Sequence, residues 1–195
     1  MEVLSFRLYD CPSGYSIAYT VSDIFYTLFA GMGAACTYFI SRVLGENKLE
    51  EAKSNAYRLL KFVTLVALAE GVLFILASFF FFSLYQNTAA ETRNYASYVL
   101  IVMGCFFCVM TFVSQCYMTL RAGGDTKLLM FFDSGFQWLV YIPFVAAIAY
   151  WSDVDFYWLF FLSQLPDVLK AVVGWIIVKK EKWVKNLTIT EGEAT

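Results

Sequence analysis

The chain of 195 residues contains no histidine and only three prolines. Histidine is the side chain used most often as a general acid or base, so its absence removes the commonest catalytic group and the H-E-x-x-H zinc motif. The sequence also lacks a G-x-S-x-G nucleophile turn and a glycine-rich phosphate loop ending in Lys-Ser or Lys-Thr. We therefore do not expect an enzyme.

Charged residues are scarce as well. They make up 15% of the chain, whereas a soluble domain carries about 25%. Hydrophobic residues reach 60%, and the mean hydropathy is +0.63. The net charge of −2, without a basic patch beside exposed aromatic residues, argues against nucleic acid as a partner. This composition is typical of a membrane protein, whose first partner is the lipid bilayer.

The five cysteines are an odd number and give no disulfide framework. Cys105 and Cys108 form a C-x-x-C pattern inside an apolar run. A zinc site needs further ligands, and the chain offers neither a histidine nor a second cysteine pair. We expect these thiols to pack as small hydrophobic groups, and we expect no metal site.

Five apolar stretches are long enough to cross a membrane, because a crossing helix needs about 20 mostly apolar residues. They are residues 17–41, 62–85, 95–120, 129–151 and 156–178. The sequence thus predicts an all-α, polytopic membrane helix bundle over residues 15–187. Residues 1–14 look like the remnant of a preceding segment rather than a signal peptide, and residues 188–195 form a polar tail.

Lysine and arginine accumulate on one side of this topology. Residues 42–61 carry five of these basic residues and the C-terminal tail carries four, whereas the other side has only Arg7 and Arg93. By the positive-inside rule, the N-terminus lies outside and the C-terminus lies in the cytoplasm. Asn47 and Glu50 form an N-terminal capping pattern, and apolar residues follow at helical spacing. We therefore predict a short amphipathic helix on the membrane surface over residues 47–60.

The stretch LRAGGDTK, residues 120–127, interrupts two apolar runs and predicts a cytoplasmic hairpin. Gly123 and Gly124 favour the left-handed backbone that ends a helix. Either Asp125 or Thr126 is suited to cap the next helix. The basic residues Arg121 and Lys127 then keep the turn on the cytoplasmic side.

Ionisable and amide side chains inside the spans are the candidate site residues, because an ionisable group at bilayer depth costs at least about 2.5–3.5 kcal/mol. Lys170 is predicted to form a structural ion pair with Asp133 or Asp167; the alternative is proton or substrate traffic through a polar cavity. Asp133 and Gln137 share a helix face, which favours a protein-facing or cavity-facing stripe. The full set of candidates for a substrate or ion pathway is Asp133, Gln137, Asp167, Lys170, Gln115, Glu70 and Asp23.

Two of these residues have simpler interpretations. Glu70 adjoins Gly71, where a neighbouring helix could approach closely, and local partners are expected to satisfy its carboxylate. Gln115 is either a substrate contact or an interhelical hydrogen bond, and the second role is the commoner one.

The sequence resembles one family, the multidrug and toxic compound extrusion (MATE) transporters. The stretch AGMGAACTYFISRVLGENKLEEAK resembles the family's small-residue helix and the acidic-alanine segment after it. LRAGGDTK resembles the hairpin near the end of the family's tenth helix, and the similarity continues through Trp138 to a final KWVKNLT. The positions that carry it are Gly31, Gly33, Ala35, Gly45, Glu51, Ala52, Arg121, Gly123, Gly124, Asp125, Thr126, Asp133 and Pro143.

The resemblance implies the C-terminal lobe of a transporter with two six-helix lobes, of which this chain supplies helices eight to twelve. Members export cationic, amphipathic compounds in exchange for Na⁺ or H⁺, and no other cofactor is implied. Those that bind the coupling cation in this lobe use acidic residues on helices seven and ten. Helix seven is absent and residues 95–120 contain no Asp or Glu, so coupling would lie in the missing lobe or use Asp133 or Asp167.

Alternating access needs two repeats around a midplane site, so five helices alone are not expected to transport without the missing N-terminal lobe or a partner half. We place the protein in a bacterial inner (plasma) membrane. One alternative is a non-transporting membrane subunit. Another is a flippase-like fragment for lipid-linked oligosaccharides, but a basic lining would suit that substrate, whereas acidic and aromatic residues suit cations.

Overall fold

The computed structural model describes residues 12–84, 90–151 and 156–184, and no strand occurs among them. The remnant over residues 1–14 and the tail over residues 188–195 therefore lie largely or wholly outside the described residues. The helices are α1 (Pro12–Gly45), α2 (Leu49–Leu84), α3 (Ala90–Ala122), α4 (Thr126–Met130), α5 (Ile142–Trp151), α6 (Phe156–Ser163) and α7 (Leu165–Lys179). Two π-helical turns, Phe131–Gly135 and Gln137–Tyr141, join α4 to α5.

Five segments are long and apolar enough to cross a membrane, which confirms the predicted all-α polytopic class. They are Ala18–Gly45, Leu49–Phe80, Arg93–Ala122, Lys127–Tyr150 and Tyr157–Lys179, called spans 1 to 5 below. Span 2 has 32 residues, more than the roughly 20 that cross the hydrocarbon. Its first turns therefore extend beyond the hydrocarbon region.

Helix α3 forms the centre of the bundle and contacts α1, α2, α6 and α7. Glycines bring α2 and α3 close together: a Cβ added to Gly71 would lie 2.9 Å from the Gly104 carbonyl oxygen. Aromatic rings fill the same contact, with Phe74 and Phe107 stacked at 5.8 Å between centroids. The close approach expected at Gly71 is thus present, and Gly104 on α3 supplies the other half of the contact.

The segment 47–60 differs from its prediction. It does not form a separate surface helix, because α2 runs without a break from Leu49 to Leu84. Its apolar side, Ala52, Ala56 and Leu60, is buried in the protein core. The location of the segment at the membrane surface stays a prediction. Asn47 does not cap α2 either: it has a φ of 58°, and its N–H donates to the Leu44 carbonyl at 3.1 Å, so it closes the end of α1.

The 120–127 hairpin forms as predicted, with a different task for each glycine. Gly124 takes the left-handed backbone, with a φ of 71°. Asp125 accepts a hydrogen bond from the Leu128 N–H at 3.2 Å and caps α4; the side chain of the alternative cap, Thr126, lies outside the described residues. Gly123 instead makes room for Trp183, because an added Cβ would collide with the Trp183 backbone.

Three chain segments meet at one end of the bundle, which we call the basic end: residues 45–49, 122–126 and 180–184. Lys53 pairs with Glu181 at 2.9 Å, and Trp183 is fully buried there, donating to the Val178 carbonyl at 3.0 Å. At the same end the Lys48 ammonium, and then the Arg42 guanidinium, lower the pKa of the exposed Glu46 carboxyl. The starts of α2 and of the tail therefore lie on one side, as the four crossings between them, spans 2 to 5, require.

Candidate functional site

A cavity of about 570 Å³ opens between spans 1, 3, 4 and 5, towards the end of the bundle opposite the basic end. Its volume lies within the roughly 300–1,000 Å³ of ordinary ligand pockets. The lining combines aromatic, thioether and polar side chains: Tyr19, Asp23, Tyr26, Met103, Met110, Tyr141, Val145, Leu159, Phe160, Ser163 and Gln164.

Helix α1 contributes an aromatic and acidic stripe to this cavity. Tyr19, Asp23 and Tyr26 stand four and three residues apart, so they share one helix face. The Tyr26 hydroxyl lies 3.3 Å from the Met110 sulfur, which ties the stripe to α3. The Asp23 side chain is exposed and borders the cavity. The sequence analysis selected Asp23 alone. The i, i+4, i+7 spacing of Tyr19, Asp23 and Tyr26 already indicated that the three share a helix face.

Spans 4 and 5 form the opposite wall. The second π-helical turn carries Tyr141, which interacts with Ser163 and lies within electrostatic reach of Asp167. The helix of span 5 is interrupted at Gln164, because Pro166 in the first turn of α7 has no N–H to donate to the preceding turn. This interruption places Gln164 on the cavity wall and Asp167 at the start of the next helix.

The lining residues fit an organic cation. The faces of tyrosine rings attract a positive charge, each by about 0.5–2 kcal/mol depending on hydration. The Asp23 carboxylate adds a formal negative charge at the rim, and the methionine side chains adapt to irregular apolar shapes. No lysine or arginine lines the cavity in the part of the chain that the structure describes.

Asp133 and Lys170, one of the two predicted pairs, do form an ion pair. Lys170 Nζ donates to Asp133 Oδ1 at 2.8 Å. The ammonium also lies 5.5 Å and 5.8 Å from the ring centroids of Phe132 and Phe136. The Lys170 side chain is only 11% exposed, whereas that of Asp133 is 57% exposed. The carboxylate therefore lies at the edge of an aromatic cluster that surrounds the ammonium.

The stripe of Asp133 and Gln137 is not covered by any residue that the structure describes. Both residues are exposed and neither lines the cavity. In an apolar stretch of 18 residues within each span, only 6% of span 4 is buried, against 50% of span 3. The prediction that the stripe faces protein or a cavity therefore stays a prediction, since any cover would have to come from outside the described residues.

Glu70 and Gln115 lie away from the cavity. One Glu70 carboxylate oxygen is buried without a hydrogen bond to any described residue. Gln115 is fully buried beside the Cys36 thiol, and its amide makes no regular hydrogen bond within the described residues. The Cys36 thiol on α1 is the neighbour of this amide across the helix contact, and the interhelical hydrogen bond expected for Gln115 stays a prediction. The same part of the chain contains no group of three Cys, Asp or Glu side chains arranged to hold a metal ion.

Residues 13–146 match the model of the MatE family. The chain belongs to this family of transporters. The match includes every family-motif position from Gly31 to Pro143, whereas span 5 and KWVKNLT lie wholly beyond it. Comparisons with curated proteins and with solved structures found no match.

The MATE motif positions have different surroundings in the structure. Some are packed: a Cβ added to Gly33 would lie 3.4 Å from the Met118 side chain, Ala52 is fully buried, and Gly123 lies against Trp183. Others have open surroundings: a Cβ at Gly31 or Gly45 would meet no atom within 4 Å. The exposed motif side chains among the described residues are Ala35, Glu51, Arg121, Asp133 and Pro143.

Proposed function

We propose that the chain is the C-terminal lobe of a MATE-type antiporter that exports cationic, amphipathic compounds in exchange for Na⁺ or H⁺. The observation that carries this proposal is the tyrosine-lined cavity with Asp23 at its rim. An aromatic and acidic lining favours a positively charged, partly apolar ligand. The same lining argues against the phosphate of a lipid-linked oligosaccharide, which would need basic residues.

Binding of a lipophilic cation to the full chain in nanodiscs tests the substrate class. Tetraphenylphosphonium is the probe, and triphenylphosphine oxide is a neutral compound of related shape. We expect the cation to bind more tightly, and Asp23→Asn to weaken its binding about tenfold, which corresponds to roughly 1.4 kcal/mol. Glu51→Gln, an exposed acidic residue near the basic end, is the matched control and should have no effect. Equal affinity for both compounds, or equal effects of the two variants, would refute the cation site.

The proposal includes a second lobe, because the polar stripe of span 4 has no cover within the described residues. Alternating access needs one repeat to move against another. We expect the chain alone in proteoliposomes to export no dye under a Na⁺ or H⁺ gradient, and the chain assembled with a complementary lobe to do so. Gradient-dependent export by the chain alone would contradict this part of the proposal. Cation binding without export in either preparation would favour a non-transporting subunit.

The coupling ion would use a carboxylate in the missing lobe, or Asp133 or Asp167 in this one. Asp167 is near Tyr141 on the cavity wall, whereas Asp133 is already paired with Lys170. In a bacterial inner membrane the basic end would face the cytoplasm, in accord with its lysines and arginines. Cysteine labelling of residues 50 and 182 in intact cells tests this orientation, and both should be protected from an impermeant reagent.

A further inference from the structure

A second concave surface lies on the outside of the bundle, away from the tyrosine-lined cavity. Two adjoining hollows of about 470 and 440 Å³ share Thr64, Phe112 and Trp175. Together they form one groove between α2 and α7. Its lining is apolar, apart from the Thr64 hydroxyl and the Cys108 thiol, until Lys61 at one end.

The groove exists because of how three helices pack. Helices α2 and α7 both pack against α3 and have little contact with each other. A strip of α3 that includes Cys108 and Phe112 is therefore left open as the floor. From Val168 to Trp175 the α7 wall extends over seven residues, or about 10 Å at 1.5 Å per residue.

The end of the groove nearest the basic end carries positive charge. Lys61 lines it, and Arg58 precedes Lys61 by about one helical turn, on nearly the same face of α2. Neither side chain forms an ion pair with another residue in the described part of the chain. The nearby Glu181 carboxylate is already paired with Lys53 at 2.9 Å. The charge at this end is thus available to an external anion.

Aromatic residues mark the depth of this end. The Trp175 and Tyr57 rings meet edge to face, with centroids 6.0 Å apart. Tryptophan and tyrosine concentrate at headgroup depth, where lysine and arginine also reach lipid phosphates. An apolar groove that starts at such a belt, beside unpaired cations, complements a phospholipid. The cations match its negative headgroup, and the apolar lining matches an acyl chain.

We propose that this groove binds an anionic phospholipid, with one acyl chain between α2 and α7 and the phosphate at Lys61 and Arg58. A neutral-headgroup lipid would fill the apolar part equally well but would gain less from the two cations. The site is separate from the tyrosine-lined cavity and does not depend on which compound the protein exports.

Native mass spectrometry of the full chain in detergent tests the proposal, with palmitoyl-oleoyl phosphatidylglycerol and phosphatidylcholine as the two probes. We expect tighter retention of phosphatidylglycerol. Lys61→Gln should weaken it about fivefold, as expected for one cation at an anionic surface, and should leave phosphatidylcholine unchanged. Lys127→Gln removes an exposed lysine at the same end but outside the groove, and should change neither affinity.

A second pair of variants tests the apolar part. Ala171→Phe fills the groove and should reduce retention of both lipids at least tenfold. Ala146→Phe, on the exposed side of α5, should not. Gel filtration and helical content confirm that the variants fold. Brominated phosphatidylglycerol should quench the tryptophan fluorescence of the wild type more than that of the Trp175→Phe variant, since Trp175 lines the groove.

Three results would overturn the proposal. One is equal retention of the two lipids, and another is an equal effect of Lys61→Gln and Lys127→Gln. The third is a dimer that Ala171→Phe dissociates, because this would assign the groove to a second copy of the chain.

Discussion

Breaking the ion pair between Asp133 and Lys170 tests whether these groups stabilise the bundle or carry ions. At the observed 2.8 Å and an effective dielectric constant of about 20, their Coulomb attraction is about 6 kcal/mol. More than half of the Asp133 side chain is exposed, and desolvation of Lys170 opposes the attraction. We therefore expect a net coupling of only about 2 kcal/mol.

A double-mutant cycle measures this coupling, using reversible denaturation by SDS in mixed micelles. Asp133→Asn leaves the nearly buried ammonium uncompensated and should lower the free energy of unfolding by about 3 kcal/mol. Lys170→Met should cost less, because its former partner is exposed. The double variant should recover most of the loss from Asp133→Asn.

The exposed pair of Arg42 and Glu46 is the control for the cycle, and it should show no measurable coupling. Single effects of Asp133→Asn and Lys170→Met that simply add up in the double variant would refute the reasoning. A double variant that recovers stability but loses cation-coupled export in the assembled transporter would assign ion traffic to the pair.

Five further substitutions test two glycine contacts and one helix cap, each by the free energy of unfolding in micelles. Gly71→Ala should cost about 1–3 kcal/mol because it separates α2 from α3. Its control is Gly31→Ala, which has open space around it and should be neutral or slightly stabilising. Equal effects of the two variants would contradict the close approach of α2 and α3. Gly123→Ala should cost about 1–3 kcal/mol by displacing Trp183, and a neutral result would show that Trp183 is not held there. Asp125→Ala should cost about 1 kcal/mol through the lost helix cap, and Asp125→Asn should retain most of the stability.

Much of the fold could be predicted from the sequence, because hydropathy and basic residues act locally along the chain. The five spans and the common side of their basic flanks follow from these two properties. The hairpin at Gly124 and Asp125 was equally readable, since its turn and cap involve neighbouring residues. The ion pair of Asp133 with Lys170 was one of two alternatives, and only the packing of span 4 against span 5 decides between them.

Other features depend on distant contacts and could not be read from local patterns. Asn47 and Glu50 have the residue types of a capping pattern. Because only three residues separate α1 from α2, Asn47 instead ends the first helix. Residues 49–60 are helical, as their pattern indicates, but they are continuous with span 2, and their apolar face meets the ends of α1 and α3 in the core. The cavity gathers residues from four spans, so only its α1 stripe had a local pattern.

The second π-helical turn connects the two features on which the proposed function depends. It carries Gln137, on the exposed stripe, and Tyr141, on the cavity wall, only four residues apart. A lobe that covered the stripe would press on the same turn that positions Tyr141. π-helical turns are frequent at functional sites, and the two in span 4 lie outside the tightly packed contact of α2 with α3. Movement of that lobe would therefore reach the cavity without passing through this contact. We therefore expect span 4, the least buried of the five, to be where a second lobe controls access to the cation.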